Sequence, residues 1–222
     1  MRWSRRGIET MKIAVIGLGN IGSNVAKNLT MGGTRVIVAD KTFSKSEQLA
    51  AKLGANASSA TIDEAMSRAD VIVLAVWLDA IKDVIATHRL DLAGKIVVDP
   101  SNPITSDGKG GFKKTIPENQ SSGQMIARLL PEGAELVKAF GTVSADSLGS
   151  AANRSPERAV LFYATDFPEA GKVVSDLITA SGFSPISVGR IDQSIRIEVF
   201  GELHEYGKLG KLVSASEAKA LV

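Results

Sequence analysis

Three glycines near the start of the chain stand two and three positions apart, between an apolar run at residues 12–16 and an amphipathic segment that ends at Gly32. Glycine here permits a tight turn, lets the backbone approach a pyrophosphate without an intervening Cβ atom, and lets the following helix pack closely on its strand. Unpaired N–H groups at the helix N-terminus would favour the phosphates. The cofactor contacts predicted in this turn are Gly17, Leu18, Gly19, Asn20, Ile21 and Gly22.

A second apolar run, residues 35–39, ends in Asp40, which lies 23 positions after Gly17. A strand, a glycine-rich turn, a helix and a second strand ending in an acid together form the dinucleotide-binding βαβ pattern. This context distinguishes the motif from glycines that fall at the same spacing by chance. The alternative is that the three glycines of this chain only shape a turn in some other kind of parallel α/β protein.

The composition is that of a globular protein and excludes several other classes. The 222 residues suffice for one large domain but not for two. A net charge of +2 gives no reason to expect nucleic acid or a membrane surface as a partner. No apolar run approaches the roughly 20 residues of a membrane helix, so we predict a cytoplasmic protein.

The residue content disfavours metal and thiol chemistry. The chain has no cysteine, which excludes disulfides, thiolate nucleophiles and cysteine metal sites. It has only two histidines, His88 and His204, so a histidine metal site is not expected either. We therefore predict no metal cofactor.

Hydrophobic patterns alternate between strands and helices. Residues 70–76 are almost uninterrupted apolar and mostly β-branched, as expected for a parallel strand at the sheet centre. Ser44–Glu47 and Thr61–Glu64 have the capping-box pattern that begins a helix. The remaining predicted elements are helices at 77–88, 122–130 and 168–181, strands at 95–99, 135–140, 158–165 and 184–188, and a mainly helical segment at 191–222 with an irregular interruption at 201–210.

Residues 100–122 contain too many turn residues for a regular helix or strand, so we predict an irregular loop there. The loop follows a parallel strand at the sheet edge where ligands bind in doubly wound folds, and we expect it to cover a site. The alternative is a tolerated surface insertion. Residues 147–157 are predicted to form another loop.

These elements predict a doubly wound, mostly parallel α/β sheet with a small C-terminal α/β extension. Residues 1–10 are a basic extension before Met11, where such folds usually begin. Residues 11–145 are predicted to form the dinucleotide-binding domain. Residues 146–222 are predicted to complete the sheet and the pocket for a second ligand.

Five stretches of the chain resemble the NADP-dependent oxidoreductases of the 8-hydroxy-5-deazaflavin coenzyme (coenzyme F420), a family with a Rossmann fold. Only the first stretch is a generic fingerprint, and the order and spacing of the others identify the family. Together they span nearly the whole chain. The stretches are residues 11–22, 73–77, 96–103, 136–143 and 182–189.

The resemblance implies hydride exchange between NAD(P)H and a planar ring acceptor, a deazaflavin or a flavin-like ring. Such an exchange needs alignment and exclusion of water more than a proton donor, and we identify no catalytic constellation in the sequence. The implied nicotinamide contacts are Ala75, Val76, Trp77 and Ala145. The implied acceptor contacts, under residues 100–122, are Trp77, Pro103, Phe112, Phe140 and Thr142. Trp77 and Phe140 are equally compatible with the hydrophobic core.

The choice between NAD and NADP depends on Asp40. Where the family commonly carries a Ser-Arg pair, this chain has Asp40 and Lys41, and an acid accepts hydrogen bonds from a ribose 2′-OH but repels a 2′-phosphate. This favours NAD, although Lys41, Ser44 and Lys45 could compensate the acid. The resemblance also implies an altered acceptor pocket, because Gly141 stands where relatives carry a polar side chain.

Other polar residues have two interpretations each. His204, or Tyr206 beside it, is either a surface or capping residue or a polar contact at the pocket rim. Lys109, Lys113 and Lys114 are either a solvated charge run or contacts for an anionic tail such as the deazaflavin phosphate.

Two other functions stay open from the sequence. A small-molecule dehydrogenase or imine reductase shares the N-terminal motif but relies on a further all-helical domain, for which residues after Phe140 leave no room. A non-catalytic NAD(P)-sensing module would bind the cofactor without turnover. The expected partner is a small-molecule or cofactor-like acceptor, and a homodimer is the default assembly.

Overall fold

The computed structural model describes residues 7–222 and contains a doubly wound α/β sheet, as predicted. Runs rich in β-branched residues form its central strands, and every residue of these strands is buried. The strands are β1 Ile13–Ile16, β2 Val36–Ala39, β3 Ala57–Ser59, β4 Val71–Leu74, β5 Ile96–Asp99, β6 Ile104–Ser106, β7 Phe112–Lys114, β8 Glu135–Lys138, β9 Val160–Thr165 and β10 Ser184–Ser187.

Helices connect the strands and cover both faces of the sheet. Short 3₁₀ helices occupy Ile8–Thr10, Gly54–Asn56 and Ile191–Arg196. The α-helices are α1 Asn20–Met31, α2 Phe43–Leu53, α3 Ile62–Arg68, α4 Leu78–Thr87, α5 Arg89–Leu92, α6 Ser122–Leu129, α7 Ala145–Ser150, α8 Pro168–Ala180 and α9 Ala215–Ala218. No helix within residues 7–222 is long and apolar enough to cross a membrane.

Within the described residues, eight strands form the main sheet in the order β10-β9-β8-β5-β4-β1-β2-β3. β1 pairs in parallel with β2 on one side and with β4 on the other, so the chain changes direction of winding between β1 and β4. In doubly wound folds, ligands bind in the crevice at this switch point, beyond the carboxyl ends of the strands. β9 pairs antiparallel to β8 and ends at the opposite edge.

The alternation of side chains along each strand divides the core into two layers. In β1, Ile13 and Val15 pack into one layer with α1 and α8, while Ala14 and Ile16 pack into the other layer with α3 and α4. A sheet covered on both faces explains why its strands carry no polar alternation.

One of the two predicted capping boxes is present. The Thr61 side chain accepts from the backbone N–H of Glu64, and Glu64 accepts in return, as predicted. The box predicted at Ser44–Glu47 was wrong, because α2 begins at Phe43 with Thr42 as its N-cap. The Ser46 hydroxyl instead accepts from the backbone N–H of Asp40 at 2.9 Å.

Three segments differ from their predicted structure. Within residues 100–122, β6 and β7 pair as an antiparallel hairpin, with Thr105 opposite Lys113, so the segment is not wholly irregular. Residues 145–150, partly predicted as loop, form α7. Residues 191–222 are mostly turns rather than helix, apart from the 3₁₀ helix Ile191–Arg196 and the short helix Ala215–Ala218. Their buried residues Ile197, Leu203 and Val213 pack in one cluster with β9.

The basic extension lies partly outside the described residues, since the structure describes the chain from Gly7 onward. Ile8 packs against the layer of core that contains α1 and α8. α7 spans the boundary predicted at residue 145, and its Leu148 carbonyl accepts from Asn28 Nδ2 on α1 at 2.8 Å. β9 and β10 extend the same sheet.

A buried ion cluster joins the carboxyl ends of β5 and β8. Lys138 Nζ lies 2.6 Å from Asp99 Oδ2 and 4.0 Å from Glu198 Oε1, and each of these side chains is at most 3% exposed. Lys138 also donates to the Ser101 carbonyl at 2.5 Å and the Ser122 hydroxyl at 2.9 Å. The Glu198 carboxylate in turn accepts the first N–H groups of α6. Four segments distant in sequence therefore meet at one ammonium group.

We expect Lys138→Met to lower the free energy of unfolding by about 3–5 kcal/mol, because it leaves Asp99 and Glu198 as buried carboxylates without their cation. Urea denaturation at pH 7 measures the change. Lys82→Met is the control, since Lys82 pairs with Asp79 on the surface at 3.5 Å and such pairs contribute little. Equal losses in the two variants would contradict the interpretation.

Candidate functional site

The glycine-rich turn leaves β1 at the switch point and enters α1. Gly17 has φ +87°, and a Cβ atom there would lie 2.4 Å from Val76 Cγ1 and 2.6 Å from the Ala75 carbonyl oxygen. A Cβ on Gly22 would lie 1.9 Å from the Gly17 carbonyl oxygen. Both glycines are therefore required by the close packing of the turn against α1 and the end of β4.

Gly19 has a different environment. It is exposed, its φ is −75°, and a Cβ atom there would meet nothing within 4 Å. The protein itself therefore does not require glycine at this position. The open space beside Gly19 fits a group that approaches the backbone from outside, as a pyrophosphate does.

The N-terminus of α1 offers hydrogen-bond donors to that space. Gly19 is the N-cap and provides no side chain, so the N–H groups of Asn20, Ile21 and Gly22 have no acceptor within the helix. They add to the positive end of the dipole of a 12-residue helix. This arrangement fits an anionic ligand and requires no basic side chain.

Asp40 ties the glycine turn to the end of β2. Its Oδ2 accepts from the backbone N–H of Leu18 at 2.9 Å, and its Oδ1 accepts from the backbone N–H of Thr42 at 3.0 Å. The carboxylate thus has a structural role besides the predicted contact with a ribose. Each oxygen retains a lone pair for a further donor.

The N-terminus of α2 adjoins Asp40 and is positive. Its N-cap, Thr42, makes no side-chain capping bond, which leaves helical N–H groups unpaired by a cap. Lys41, Ser44 and Lys45 are all exposed here. The structure therefore brings the predicted compensating residues to the same turn as the acid.

The segment after β4 forms the next wall of the site. The Ala75 N–H donates to the Ile16 carbonyl at 2.8 Å, which keeps the segment beside β1. Val76 is half-buried, and Trp77 is 65% exposed, so Trp77 is not a core residue. These three residues adjoin the glycine turn, where the resemblance places the nicotinamide.

Asn24 connects α1 to the segment after β8, a role that was missed from the sequence. Its Nδ2 donates to the Ala145 carbonyl at 2.8 Å. This bond places Ala145 beside α1, on the cofactor side of the site. Asn24 lies one turn into α1, and its partner is 121 positions away in the chain, so no local sequence pattern indicated the bond.

Asn102, also missed from the sequence, joins two segments beyond β5 and β8. Its Nδ2 donates to the Gly141 carbonyl at 2.9 Å, and its Oδ1 accepts from the Val199 N–H at 2.7 Å. A Cβ atom on Gly141 would lie 2.4 Å from the Pro100 carbonyl oxygen. Gly141 is therefore fixed by its contact with the β5 segment, and no side chain could stand there.

The prediction that Phe140 contacts an acceptor requires correction. The side chain is fully buried in the core layer that contains α1 and α8, so it offers no surface to a ligand. Pro103 is buried as well, whereas Phe112, on the hairpin, is 50% exposed. Of these apolar residues, Phe112 and Trp77 present their side chains to solvent.

His204 lies inside the protein rather than at a pocket rim, which corrects its predicted position. It is 1% exposed, and its Nδ1 accepts from the Tyr206 N–H at 3.0 Å. Burial lowers the pKa of His204 to about 4, so the imidazole is neutral at pH 7 with its proton on Nε2. Thr142 is also buried, and its carbonyl accepts from Glu205 N–H at 3.2 Å.

The three lysines of the hairpin do not act alike. Lys114 donates to the Glu118 carbonyl at 3.0 Å, and its side chain is only 8% exposed. Lys109 and Lys113 are exposed at and beside the hairpin tip. Only these two have side chains placed to meet an anion in solution.

The chain matches a family model described as NADP oxidoreductase, coenzyme F420-dependent, over residues 12–103. It is also similar to the F420-dependent NADP reductase of Methanothermobacter thermautotrophicus, with 30% identity over 202 residues. That match covers 86% of this chain and 86% of the relative.

Two further proteins show partial or structural similarity. Metalloreductase STEAP3 of Rattus norvegicus is 31% identical over 190 residues, which cover 86% of this chain but 36% of that protein, so the chain spans about a third of its length. The crystal structure of hypothetical protein SMa0349 from Sinorhizobium meliloti has a TM-score of 0.81 and 29% identity, and the match covers 92% of this chain and 96% of that chain.

We expect Gly19→Val to remove dinucleotide binding without unfolding the protein, because the added side chain enters an open space in which a Cβ atom meets nothing within 4 Å. Isothermal titration calorimetry with NADPH measures binding, and thermal unfolding measures the fold. Gly19→Ala should give an intermediate loss of affinity. Gly22→Val should fail to fold, since its Cβ would overlap the Gly17 carbonyl. Undiminished affinity of Gly19→Val for NADPH and NADH would place the site elsewhere.

Proposed function

Because this chain belongs to the F420-dependent NADP reductase family and is an NAD(P)H-dependent oxidoreductase, we propose that it exchanges a hydride between NADP(H) and a planar ring acceptor of the deazaflavin or flavin type. The observation that carries the proposal is the match to the Methanothermobacter relative across 86% of both proteins. When bound, the nicotinamide cofactor supplies or accepts the hydride.

The residues that would hold the cofactor form a continuous wall along the switch point. The N–H groups at the start of α1 and the bare backbone at Gly19 would bind the pyrophosphate. Ala75, Val76, Trp77 and Ala145 would surround the nicotinamide. Val76 fits this role because it already contacts the glycine turn, as the close approach of its Cγ1 to Gly17 shows.

The acceptor would bind beside the hairpin and the segments beyond β5 and β8. Exposed Trp77 and Phe112 offer aromatic surface for stacking on a planar ring. Lys109 and Lys113 offer charges for an anionic tail. Thr142 would contribute through its backbone, because its side chain is buried.

The titratable groups near the site support hydride exchange without a proton relay. Lys138, Asp99 and Glu198 are buried in one ion cluster and have no free surface. His204 is neutral and buried. With no proton relay among the described residues at the surface of the site, the chain would contribute chiefly the alignment of the two rings, which hydride exchange requires.

The fold disfavours one alternative and leaves another to experiment. A dehydrogenase or imine reductase of the kind considered above needs an all-helical domain, yet within residues 141–222 the described chain forms β9, α8 and β10 of the same sheet and short helices. A non-catalytic cofactor sensor would have the same binding site, so only a turnover assay separates it from an enzyme.

Similarity to a metalloreductase makes a ferric chelate the second candidate acceptor.

The cytoplasmic location and the homodimer predicted from the sequence stay proposals. Light scattering during size-exclusion chromatography gives the number of subunits in solution.

The test is to mix the purified protein with NADPH or NADH and a panel of acceptors: the deazaflavin, FMN, riboflavin and ferric chelates. Loss of absorbance at the nicotinamide band follows turnover. We expect the deazaflavin to be reduced fastest. Reduction of small imines or keto acids, with no ring acceptor reduced, would contradict the proposal, and tight cofactor binding with no turnover would support the sensor.

Cofactor choice supplies a separate prediction. The Asp40 carboxylate repels a 2′-phosphate, while Lys41, Lys45 and the uncapped start of α2 attract it. We propose that the protein accepts both NADPH and NADH. Asp40→Asn keeps an oxygen for the Leu18 N–H but removes the charge, and should raise the NADPH-to-NADH ratio of kcat/KM about tenfold, or about 1.4 kcal/mol.

Asp176→Asn is the control for this prediction, since Asp176 is an exposed carboxylate on α8. It should leave the ratio unchanged. An unchanged ratio in Asp40→Asn as well would show that Lys41 and Lys45 set the preference.

A further inference from the structure

Two phenylalanines adopt a strained backbone conformation on the acceptor side of the site. Phe140 has φ +64° and Phe200 has φ +68°. Bulky residues adopt this left-handed region only where surrounding contacts impose it, and such residues concentrate at functional sites. Phe140 is fully buried, whereas Phe200 is 46% exposed, so burial alone does not account for both.

Asn102 contacts both strained turns with one amide group. Its Nδ2 bonds the carbonyl of Gly141, which follows Phe140, and its Oδ1 bonds the N–H of Val199, which precedes Phe200. The two bonds are 2.9 and 2.7 Å long. The two turns are 60 residues apart in sequence, yet one side chain spans them.

The elements around Asn102 keep this amide in place. It lies three residues beyond β5, and its own carbonyl accepts from the Ile104 N–H at 2.9 Å at the start of the hairpin. On the far side, Glu198 precedes Val199 and is bound to the first N–H groups of α6. Asn102 is thus a bridge between two anchored segments.

We propose that Asn102 is a positioning residue of the acceptor side, which holds the turns at Phe140 and Phe200 in their left-handed conformation. It acts through the backbone and touches neither cofactor nor acceptor. By fixing both turns it sets where the Thr142 backbone and the backbone turn at Phe200 lie. The expected effect on kcat/KM rests on the proposed function. The expected change in backbone conformation rests on the structure alone.

Asn102→Ala removes both hydrogen bonds, and we expect the turn at Phe200 to relax to a negative φ. With the acceptor identified by the panel, kcat/KM for that acceptor should fall at least tenfold, while the Kd for NADPH should change less than twofold. Asn102→Asp, which keeps an acceptor for Val199 but places an oxygen against the Gly141 carbonyl, should give a similar loss if Asn102→Ala fails to fold.

A rescue variant separates positioning from general stability. Asparagine and glycine tolerate the left-handed region, so Phe200→Asn or Phe200→Gly added to Asn102→Ala should restore the original turn. The double variant should have a kcat/KM at least threefold higher than that of Asn102→Ala alone.

Asn56→Ala is the matched control, because Asn56 is also half-buried and its Nδ2 donates to the Thr30 carbonyl at 3.2 Å, away from the site. It should change neither constant.

Backbone three-bond couplings of Phe140 and Phe200, measured by NMR, test the conformational part without turnover. We expect both couplings to change in Asn102→Ala, the Phe140 coupling to change in Asn102→Asp, and neither to change in Asn56→Ala. Unchanged couplings in both Asn102 variants would overturn the inference. A wild-type protein that reduces no acceptor would overturn the proposed function, and the couplings would still decide the role of Asn102.

Discussion

The ammonium group of Lys138 is the interaction on which the carboxyl edge of the sheet depends. One cation and two carboxylates lose their hydration together, and the cost is offset only because each keeps short hydrogen bonds. The surplus negative charge lies at the N-terminus of α6, where the helix dipole favours it. The cluster thereby joins β5, β8, α6 and the segment at Glu198, which together border the proposed acceptor site.

The glycine turn of the proposed cofactor site depends instead on residues that have no side chain. Gly22 and Gly17 allow α1 to lie against its strand at a distance that no Cβ atom would permit. The Asp40 carboxylate then fixes the turn from the other side through Leu18. Close packing thus fixes the backbone of the proposed cofactor site, while polar side chains join the segments of the proposed acceptor site.

This difference explains what the sequence could predict. The glycine turn, Asp40 and the Thr61 cap are local patterns, and the sheet follows from strands with their own hydrophobic signature. The Lys138–Asp99 pair joins residues 39 positions apart, and the bond from Val199 to Asn102 spans 97 positions, so no local spacing indicated them. Ser44–Glu47 resembled a capping box because the local pattern does not show that α2 begins earlier, at Phe43, which places Ser44 inside the helix. His204 and Phe140 were misplaced because burial depends on distant segments.

The reversal of direction between β8 and β9 has a consequence for biosynthesis. α8 carries the chain back to the site edge after β9, but β10 runs away from it again. The bonds at Glu198, Val199 and Glu205 therefore form only from the segment that follows Ile191–Arg196. A ribosome releases the parallel half of the sheet first. A nascent chain would therefore be able to bind its dinucleotide before the acceptor side is closed, and the newborn enzyme would carry reducing equivalents that it could not yet pass on.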